Sequence, residues 1–320
     1  MARAEGGLTV IESGEEGRAG QWHAGIGDYF ALLKPRVMSL VVFTGGVGLA
    51  AAPGNVDLAT ILVTLITMAG GAGGCGALNM WYDADIDAVM RRTRSRPIPQ
   101  GRVSKAEALI LGLALSLGSV AALGALVNGV AAFLLAFTIG FYVLVYTMGL
   151  KRRTPQNIVI GGASGALPPM IGWAAASGGL DAGALALFLI IFLWTPPHFW
   201  ALAIARSSDY EKAGVPMMPV VAGAAGTARQ ILVYSALLVA ASAFPVALGT
   251  AGMFYAAVAG PLGLMFVWRA LDLVRIAARE TEHREQVGPQ AALSTAAMRL
   301  FGFSILYLFA LYAALLLGAA

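Results

Sequence analysis

The sequence predicts an all-helical polytopic membrane protein with nine transmembrane helices. Three observations carry that reading. Of 320 residues, 58% are hydrophobic and only 12% are charged, whereas a soluble domain has about 25% charged residues. Charge-free intervals long enough to cross a bilayer recur along the chain. Lysine and arginine gather between some of these intervals and avoid the others.

Each element follows from the length a bilayer requires, about 20 apolar residues per helix. The charge-free intervals are 37–56, 58–82, 108–150, 154–180, 182–205, 230–268 and 300–320. Two of them hold a pair of helices. The first of these breaks at Asn128-Gly129 and the second at Gly249-Thr250-Ala251-Gly252, both turn-forming. The predicted spans are 37–53, 58–80, 106–126, 130–149, 156–176, 184–204, 230–249, 253–271 and 299–318. With nine spans, the N-terminus and the loops after the second, fourth, sixth and eighth share one side. All 21 basic residues fall there or at its helix ends. The opposite loops, near Asp57, Asn128, Asp181 and Gly252, hold none. The positive-inside rule makes the basic side, with the N-terminus, cytoplasmic and the C-terminus external.

Residues 1–27 are polar and lack the apolar core of a signal peptide. They read as a disordered cytoplasmic tail, which leaves 28–320 as the transmembrane domain. A single cysteine, Cys75, excludes an intramolecular disulfide and a cysteine-cluster metal site. The net charge of +4 is a topology signal and calls for no nucleic acid. Gly70-Gly71-Ala72-Gly73-Gly74 and Gly161-Gly162-Ala163-Ser164-Gly165 lack the lysine and Ser/Thr of a P-loop. They read as surfaces where membrane helices approach closely. The stretch DLVRIAARETEHREQ, 272–286, reads as a helix leaving the membrane with a solvated charged face.

Chemistry concentrates in the cytoplasmic loops. Asn79, Asp83 and Asp87 recur at steps of four at the end of the second span. On a helix that spacing puts them on one face, with Asp85 pointing elsewhere, either supporting the ligand residues from behind or solvated. Arg91, Arg92, Arg94 and Arg96 follow, closed off by Pro97 and Pro99. Oxygen ligands followed by guanidinium groups suit a hard cation carrying a polyphosphate. Magnesium takes one or two carboxylates plus phosphate oxygens, and arginine forks fit phosphate. Arg92 and Arg96, four apart, can face the same phosphate if the segment is helical. Lys151, Arg152 and Arg153, following Tyr146, add cations on the same side. Arg206, Asp209, Tyr210 and Lys212 come after the sixth span, and Asp209 is the natural second anchor for a metal. His198 sits in an apolar helix after Pro196-Pro197, among Trp194, Phe199 and Trp200. A lone histidine is commonly structural, but this position is equally open to a catalytic, acceptor-binding or haem-ligating role.

The NxxxDxxxD pattern at Asn79, Asp83 and Asp87, on the second helix of nine, resembles the UbiA superfamily of intramembrane prenyltransferases. Four strings narrow the match: NMWYDADID, RTRSRPIPQG, YTMGLKRRTPQNIVIGGASGALPPMIGWAA and WTPPHFWALAIARSSDYEKAGVPMMPV. Together with DYFALLKPRVMSL at 28–40, they look like the branch that prenylates haem. The resemblance implies a helical fold around a central cavity open to the bilayer and capped by the cytoplasmic loops. It implies farnesyl diphosphate and haem b as substrates and Mg2+ as cofactor. A hydroxyethylfarnesyl chain on a haem vinyl group would give haem O and release diphosphate. It further implies the inner (cytoplasmic) membrane as location and a haem A synthase or terminal oxidase assembly as partner.

On that resemblance, Asn79, Asp83, Asp87 and Asp209 would hold magnesium. Arg92, Arg96, Lys151 and Arg152 would contact the diphosphate, with Arg206 and Lys212 supplying further charge. Tyr146, Trp81, Tyr82 or Trp200 would face an allylic cation. His198 would meet the haem iron or position the water that ends the reaction. One departure stands out. Many members carry a second DxxxD motif after the sixth helix, whereas Asp209 here has Ala213 at +4 and Ala205 at −4. Two alternatives are a related transferase with another acceptor, an aromatic acid or quinone precursor, and a secondary transporter. The lack of a visible repeat and the gathering of charge at one face weigh against the transporter.

Overall fold

The computed structural model describes residues 24–282 and 290–318. Apart from residues 24–27, the proposed tail lies outside the described residues, as do residues 283–286 of the charged stretch after the eighth span. Every regular element among the described residues is helical.

The first span is bent. α1 (Ile26–Leu32) and α2 (Pro35–Ala51) meet at 54°. Pro35 starts α2, where its missing N–H costs nothing and its ring pre-sets φ. Lys34 before it takes φ 51° and ψ 62°, and is the one non-glycine residue described with positive φ. The second span is α3 (Leu58–Tyr82), started by Asp57, whose carboxylate accepts from the Thr60 N–H at 2.9 Å. The short α4 (Ala84–Val89) follows it directly. α5 (Lys105–Leu126) opens on a reciprocal Ser104–Glu107 cap, and α6 (Gly129–Gly140) on Asn128.

The chain then winds into a π-helical segment, Phe141–Leu150. Its wider pitch shows in the Lys151 N–H, which reaches back five residues to the Tyr146 carbonyl at 2.9 Å. The sequence predicts one ordinary helix over 130–149, and the π segment corrects that. α7 (Asn157–Ala166) and α8 (Pro168–Ser177) make the fifth span, and α9 (Ala182–Ala205) the sixth. α10 (Ser207–Lys212) lies across the loop after it. α11 (Met218–Ala241) with α12 (Phe244–Ala247), α13 (Met253–Glu282) and α14 (Gln290–Gly318) complete the chain.

Among the described residues, eight helical stretches are long and apolar enough to cross a membrane, and the bent α1–α2 pair, taken as one broken span, brings the number to the predicted nine. Bounds move where helices run past charged residues. α11 starts at Met218 rather than 230, with a kink at Gly223 (φ 69°, ψ 173°), α13 runs to Glu282 rather than 271, and α14 starts at Gln290 rather than 299. A charge-free criterion stops at Arg229, Arg269 or Arg299, whereas the backbone ladder carries on through them.

Small residues set the helix contacts. α2 lies on α8 so closely that a Cβ on Gly172 would run into the Gly45 carbonyl, and one on Gly48 into the Pro169 backbone. α3 lies on α5 with Gly74 against Ser116 and Gly112. The glycine runs thus act as packing surfaces, the membrane counterpart of knob-and-hole contacts. Outside, Leu117, Phe133 and Leu264 are exposed, as on a lipid-facing surface. The larger core gathers around α9, where Trp200, Tyr255, Phe266, Tyr307 and Tyr312 are fully buried. The three phenols are satisfied: Tyr307 by Ser242 at 2.9 Å, Tyr255 by the Ser242 carbonyl at 2.9 Å, and Tyr312 by the Leu187 carbonyl at 2.7 Å. In hydrocarbon such groups need internal partners.

Candidate active site

The polar centre forms where α3 ends. Asp83 breaks the helix, with φ −86° and ψ 8°, so the acidic motif spans α3 and α4 rather than one continuous helix. Two backbone bonds preserve its register: Asp83 N–H to the Asn79 carbonyl at 2.9 Å, and Asp87 N–H to the Asp83 carbonyl at 2.8 Å. Asn79, Asp83 and Asp87 are 4%, 0% and 2% exposed. Carboxylates buried this deeply need compensating partners.

Cations from three separate segments supply them. Lys151, just past the π segment, donates to Asp83 Oδ2 at 2.5 Å. Arg96 Nη1 donates to Asp87 Oδ2 at 2.5 Å. Lys34 Nζ donates to Asn79 Oδ1 at 2.5 Å. The Asn79 amide in turn donates to Asp83 Oδ2 at 2.8 Å and to Thr147 Oγ1 at 3.1 Å. Lys34 lies within electrostatic reach of Asp83, Asp87, Arg96 and Lys151 together. Lys34, Arg96 and Lys151 thus face Asp83 and Asp87 with nitrogen donors that suit a polyanion. Asp83 Oδ1 is buried without a hydrogen-bond partner, and the Arg152 guanidinium stands 3.6 Å from it.

The sequence explains how each group arrives. The Lys34 turn seats on α3 because Gly76 leaves room for the Leu32 and Leu33 backbone. The wide π turns bring Tyr142, Tyr146, Thr147 and Lys151 towards one side. Tyr142 and Tyr146 lie 5.4 Å apart between ring centroids, tilted by 34°, and Gly161 on α7 makes space for the Tyr146 ring. α10 adds Tyr210 beside Arg92. Burial pushes the Tyr210 phenol up, and the neighbouring Arg92 and Arg96 guanidinium groups pull the other way.

Other predicted residues stand apart. Arg152 is held by Asp85 through two 2.7 Å bonds and lies over the Tyr82 ring at 5.1 Å, tying one loop to the other. That bidentate bond holds the Asp85 carboxyl down to about 2. Arg92 and Arg96 do not lie on a helix, and the turns of 91–102 send Arg92 towards Tyr210 and Arg96 to Asp87. Arg206 and Lys212 are exposed, and Asp209 is half-buried. Among the described residues no three His, Cys, Asp or Glu side chains gather closely enough to hold a metal unaided. Asp209 is therefore not grouped with Asp83 and Asp87. An open cavity of about 610 Å³, lined by Asp85, Arg102, Lys105 and Glu107, opens beside α4 without including the acidic motif.

His198 belongs to a second constellation, on the seam between α9 and α14. It is 8% exposed. Its ring stacks on Trp194 at 4.2 Å and on Phe301 at 4.5 Å, with Phe199 edge-on at 5.1 Å. Its Nδ1 lies 2.7 Å from Ser304 Oγ. Sequence reasoning missed Lys34, Thr147, Tyr142 and Ser304. Lys34 left a trace, a lysine directly before the proline that opens the first span, whereas Thr147 and Ser304 left none.

A helical membrane bundle with a buried acidic motif ringed by cations defines a membrane prenyltransferase. Residues 39–286 match the UbiA prenyltransferase family, and the chain belongs to that family. Its relatives are more specific. A protein of Parvibaculum lavamentivorans named Protoheme IX farnesyltransferase is 58% identical, over 90% of this chain and 87% of its own. Proteins of the same name from Azorhizobium caulinodans and Sinorhizobium fredii are 57% and 54% identical. The first alignment covers 91% of this chain and 92% of the relative, the second 97% and 95%. Among solved structures, one from a study of digeranylgeranylglyceryl phosphate synthase in membranes aligns with TM-score 0.72 at 17% identity. It covers 92% of this chain and 98% of that one. A UbiA homolog from Archaeoglobus fulgidus bound to GPP and Mg2+ aligns with TM-score 0.64 at 17% identity, over 88% and 99% of the two chains. At such identities these structures speak to the fold alone.

Proposed function

We propose that this chain transfers the farnesyl group of farnesyl diphosphate to a vinyl group of haem b in the membrane, with water completing the product. Haem O and diphosphate are the products. Its relatives' shared name and their match over nearly the whole chain support the reaction. One structural observation carries the site: a fully buried carboxylate, Asp83, with one oxygen held by Lys151 and Asn79 and the other left without a hydrogen bond. An acceptor orphaned inside a ring of cations is costly unless a ligand completes it.

Magnesium fits this donor set. It is commonly held by one or two carboxylates plus substrate phosphate oxygens and needs no all-protein cage. Asp83 and Asp87 would hold it, with Asn79 beside them and Asp209 reaching it only through the substrate. Bound there, magnesium would neutralise charge on the departing diphosphate. The chain's own cations do the rest. Lys34, Arg96 and Lys151 are already in place around the motif, and they would take the phosphate oxygens as the leaving charge develops. Arg92 sits at the rim, where Tyr210 closes the site. Arg152 acts through Asp85, holding α4 against the loop after the π segment. Arg206 and Lys212 contribute only distant charge. The neighbouring Tyr142 and Tyr146 rings would present aromatic faces to an allylic cation. His198 would face the haem.

The basic residues at one end of the bundle support a cytoplasmic site, a cytoplasmic N-terminus and an external C-terminus in the inner membrane. A haem A synthase or terminal oxidase assembly would then receive the product. The test is diphosphate release from farnesyl diphosphate by the purified protein. Release that requires both haem b and magnesium is expected. Release that persists in chelator would remove the metal from the site, and release indifferent to haem would remove the acceptor.

A further inference from the structure

The constellation around His198 has a proton count with a single solution. Ser304 Oγ stands 2.6 Å from the Phe301 carbonyl and 2.7 Å from His198 Nδ1. A carbonyl carries no proton, so the hydroxyl proton must lie between Ser304 and Phe301, otherwise two bare oxygens face each other at 2.6 Å. Ser304 Oγ then has only lone pairs for the imidazole, and Nδ1 must be the donor. The neutral ring is therefore the Nδ1–H tautomer, and Nε2 carries an open lone pair. The ring is held against a flip that would put Cδ2 in place of Nδ1, because Trp194 covers one face and Phe301 the other. The lock is itself fastened: Trp194 Nε1 donates to the Ser304 carbonyl at 2.7 Å. Two residues one turn apart on α9 thus bind one residue of α14. Ser304 is fully buried. Nε2 makes no hydrogen bond among the described residues and is not one of the fully buried unpartnered atoms, so its lone pair is open to a ligand.

We infer that Ser304 is a positioning residue, which with the Phe301 carbonyl fixes His198 in the tautomer that offers Nε2 to the iron of the haem acceptor. The inference rests on the haem reading above and adds the device that orients its histidine. A ligating histidine that donates its other N–H to a fixed acceptor is a stronger, better-aimed ligand. Here the acceptor is a hydroxyl whose own proton is committed elsewhere.

The test is titration of the purified full-length protein with ferric haem b, followed by its Soret band and electron paramagnetic resonance, for wild type, Ser304→Ala, Ser304→Thr and His198→Ala. Threonine keeps the hydroxyl and is expected to keep the spectrum. Alanine is expected to shift the spectrum and weaken binding by roughly ten- to a hundredfold, while His198→Ala loses the histidine-ligated signature. If Ser304→Ala binds haem with wild-type spectrum and affinity while His198→Ala does not, the role of Ser304 is overturned and the haem reading stands. If His198→Ala also leaves the spectrum unchanged, the histidine's role as haem ligand fails, and that of Ser304 with it. Should Ser304→Ala not fold, Ser304→Cys serves instead. A thiol accepts more weakly, so a spectrum between wild type and His198→Ala is expected, and an unchanged one overturns the proposal.

Discussion

Replacing Asp83 by asparagine separates the two things the buried carboxylate does. Its Oδ2 accepts from Lys151 at 2.5 Å and from Asn79 at 2.8 Å, with no part of the side chain exposed. The amide keeps the shape and one acceptor but cannot neutralise Lys151. That side chain is 17% exposed and can turn its ammonium to water, so the cost sits at the low end for a broken buried pair, about 3 kcal/mol. Lys151→Met leaves a carboxylate with no route to water and only the Asn79 amide and the more distant Arg152 guanidinium beside it, expected to cost about 3–5 kcal/mol. Stability should therefore fall further in Lys151→Met than in Asp83→Asn. Catalysis should show a deep loss in Asp83→Asn, since the residue holds the metal and orients its neighbours. A loss of at least roughly a hundredfold is expected, the scale of one preorganised electrostatic contact in a transition state. The assay is single-turnover diphosphate release at saturating haem and magnesium, beside thermal melts of each variant. Turnover of folded Asp83→Asn within tenfold of wild type would refute the reasoning.

Three further outcomes follow from other parts of the molecule. Lys34→Met should weaken binding of magnesium pyrophosphate by about ten- to a hundredfold, the scale of a lost charged hydrogen bond. Calorimetry showing unchanged affinity would return Lys34 to a structural role at its bend. Asp85 titrates near 2 when folded, against about 3.9 when unfolded. Its pair with Arg152 therefore stabilises the fold fully above about pH 4, and that contribution is lost as the pH falls towards 2. The carboxylate is 59% exposed, so screening keeps the effect small. Asp85→Asn should lower the melting temperature slightly at pH 6 and by less at pH 3, and a larger deficit at the lower pH would contradict the assignment. Gly172→Ala forces a methyl into the Gly45 carbonyl and should destabilise the protein by about 1–3 kcal/mol. Gly179→Ala, which meets nothing within 4 Å, is its control, and equal melting of the two would sink the close-contact account.

The sequence made legible what depends on local spacing. Charge-free intervals of bilayer length placed nine spans, and the steps of four from Asn79 to Asp87 placed the acidic motif on one face even though the helix breaks at Asp83. What it did not show depends on contacts between distant segments or on backbone choices without a compositional mark. Nothing in FYVLVYTMGL distinguishes a π turn from an α turn, yet that turn aims Tyr146, Thr147 and Lys151. Of the adjacent cations after it, only the folded geometry shows that Lys151 hydrogen-bonds Asp83 while Arg152 hydrogen-bonds Asp85 and stands further from Asp83. Lys34 reaches Asn79 across 45 residues through a bend, and Ser304 reaches His198 across 106. Asp209 looked like a second metal anchor because acidic residues are scarce in its loop, but scarcity in sequence does not bring it to Asp83 and Asp87.

The measurement closest to the central claim is mass spectrometry of haem after incubation of the purified protein with haem b, farnesyl diphosphate and magnesium in water enriched with oxygen-18. The account predicts a haem heavier by one farnesyl chain and one hydroxyl whose oxygen comes from the labelled water, absent when chelator is present or when Asp83 is asparagine. Unmodified haem from folded protein, with farnesyl diphosphate intact, would contradict it.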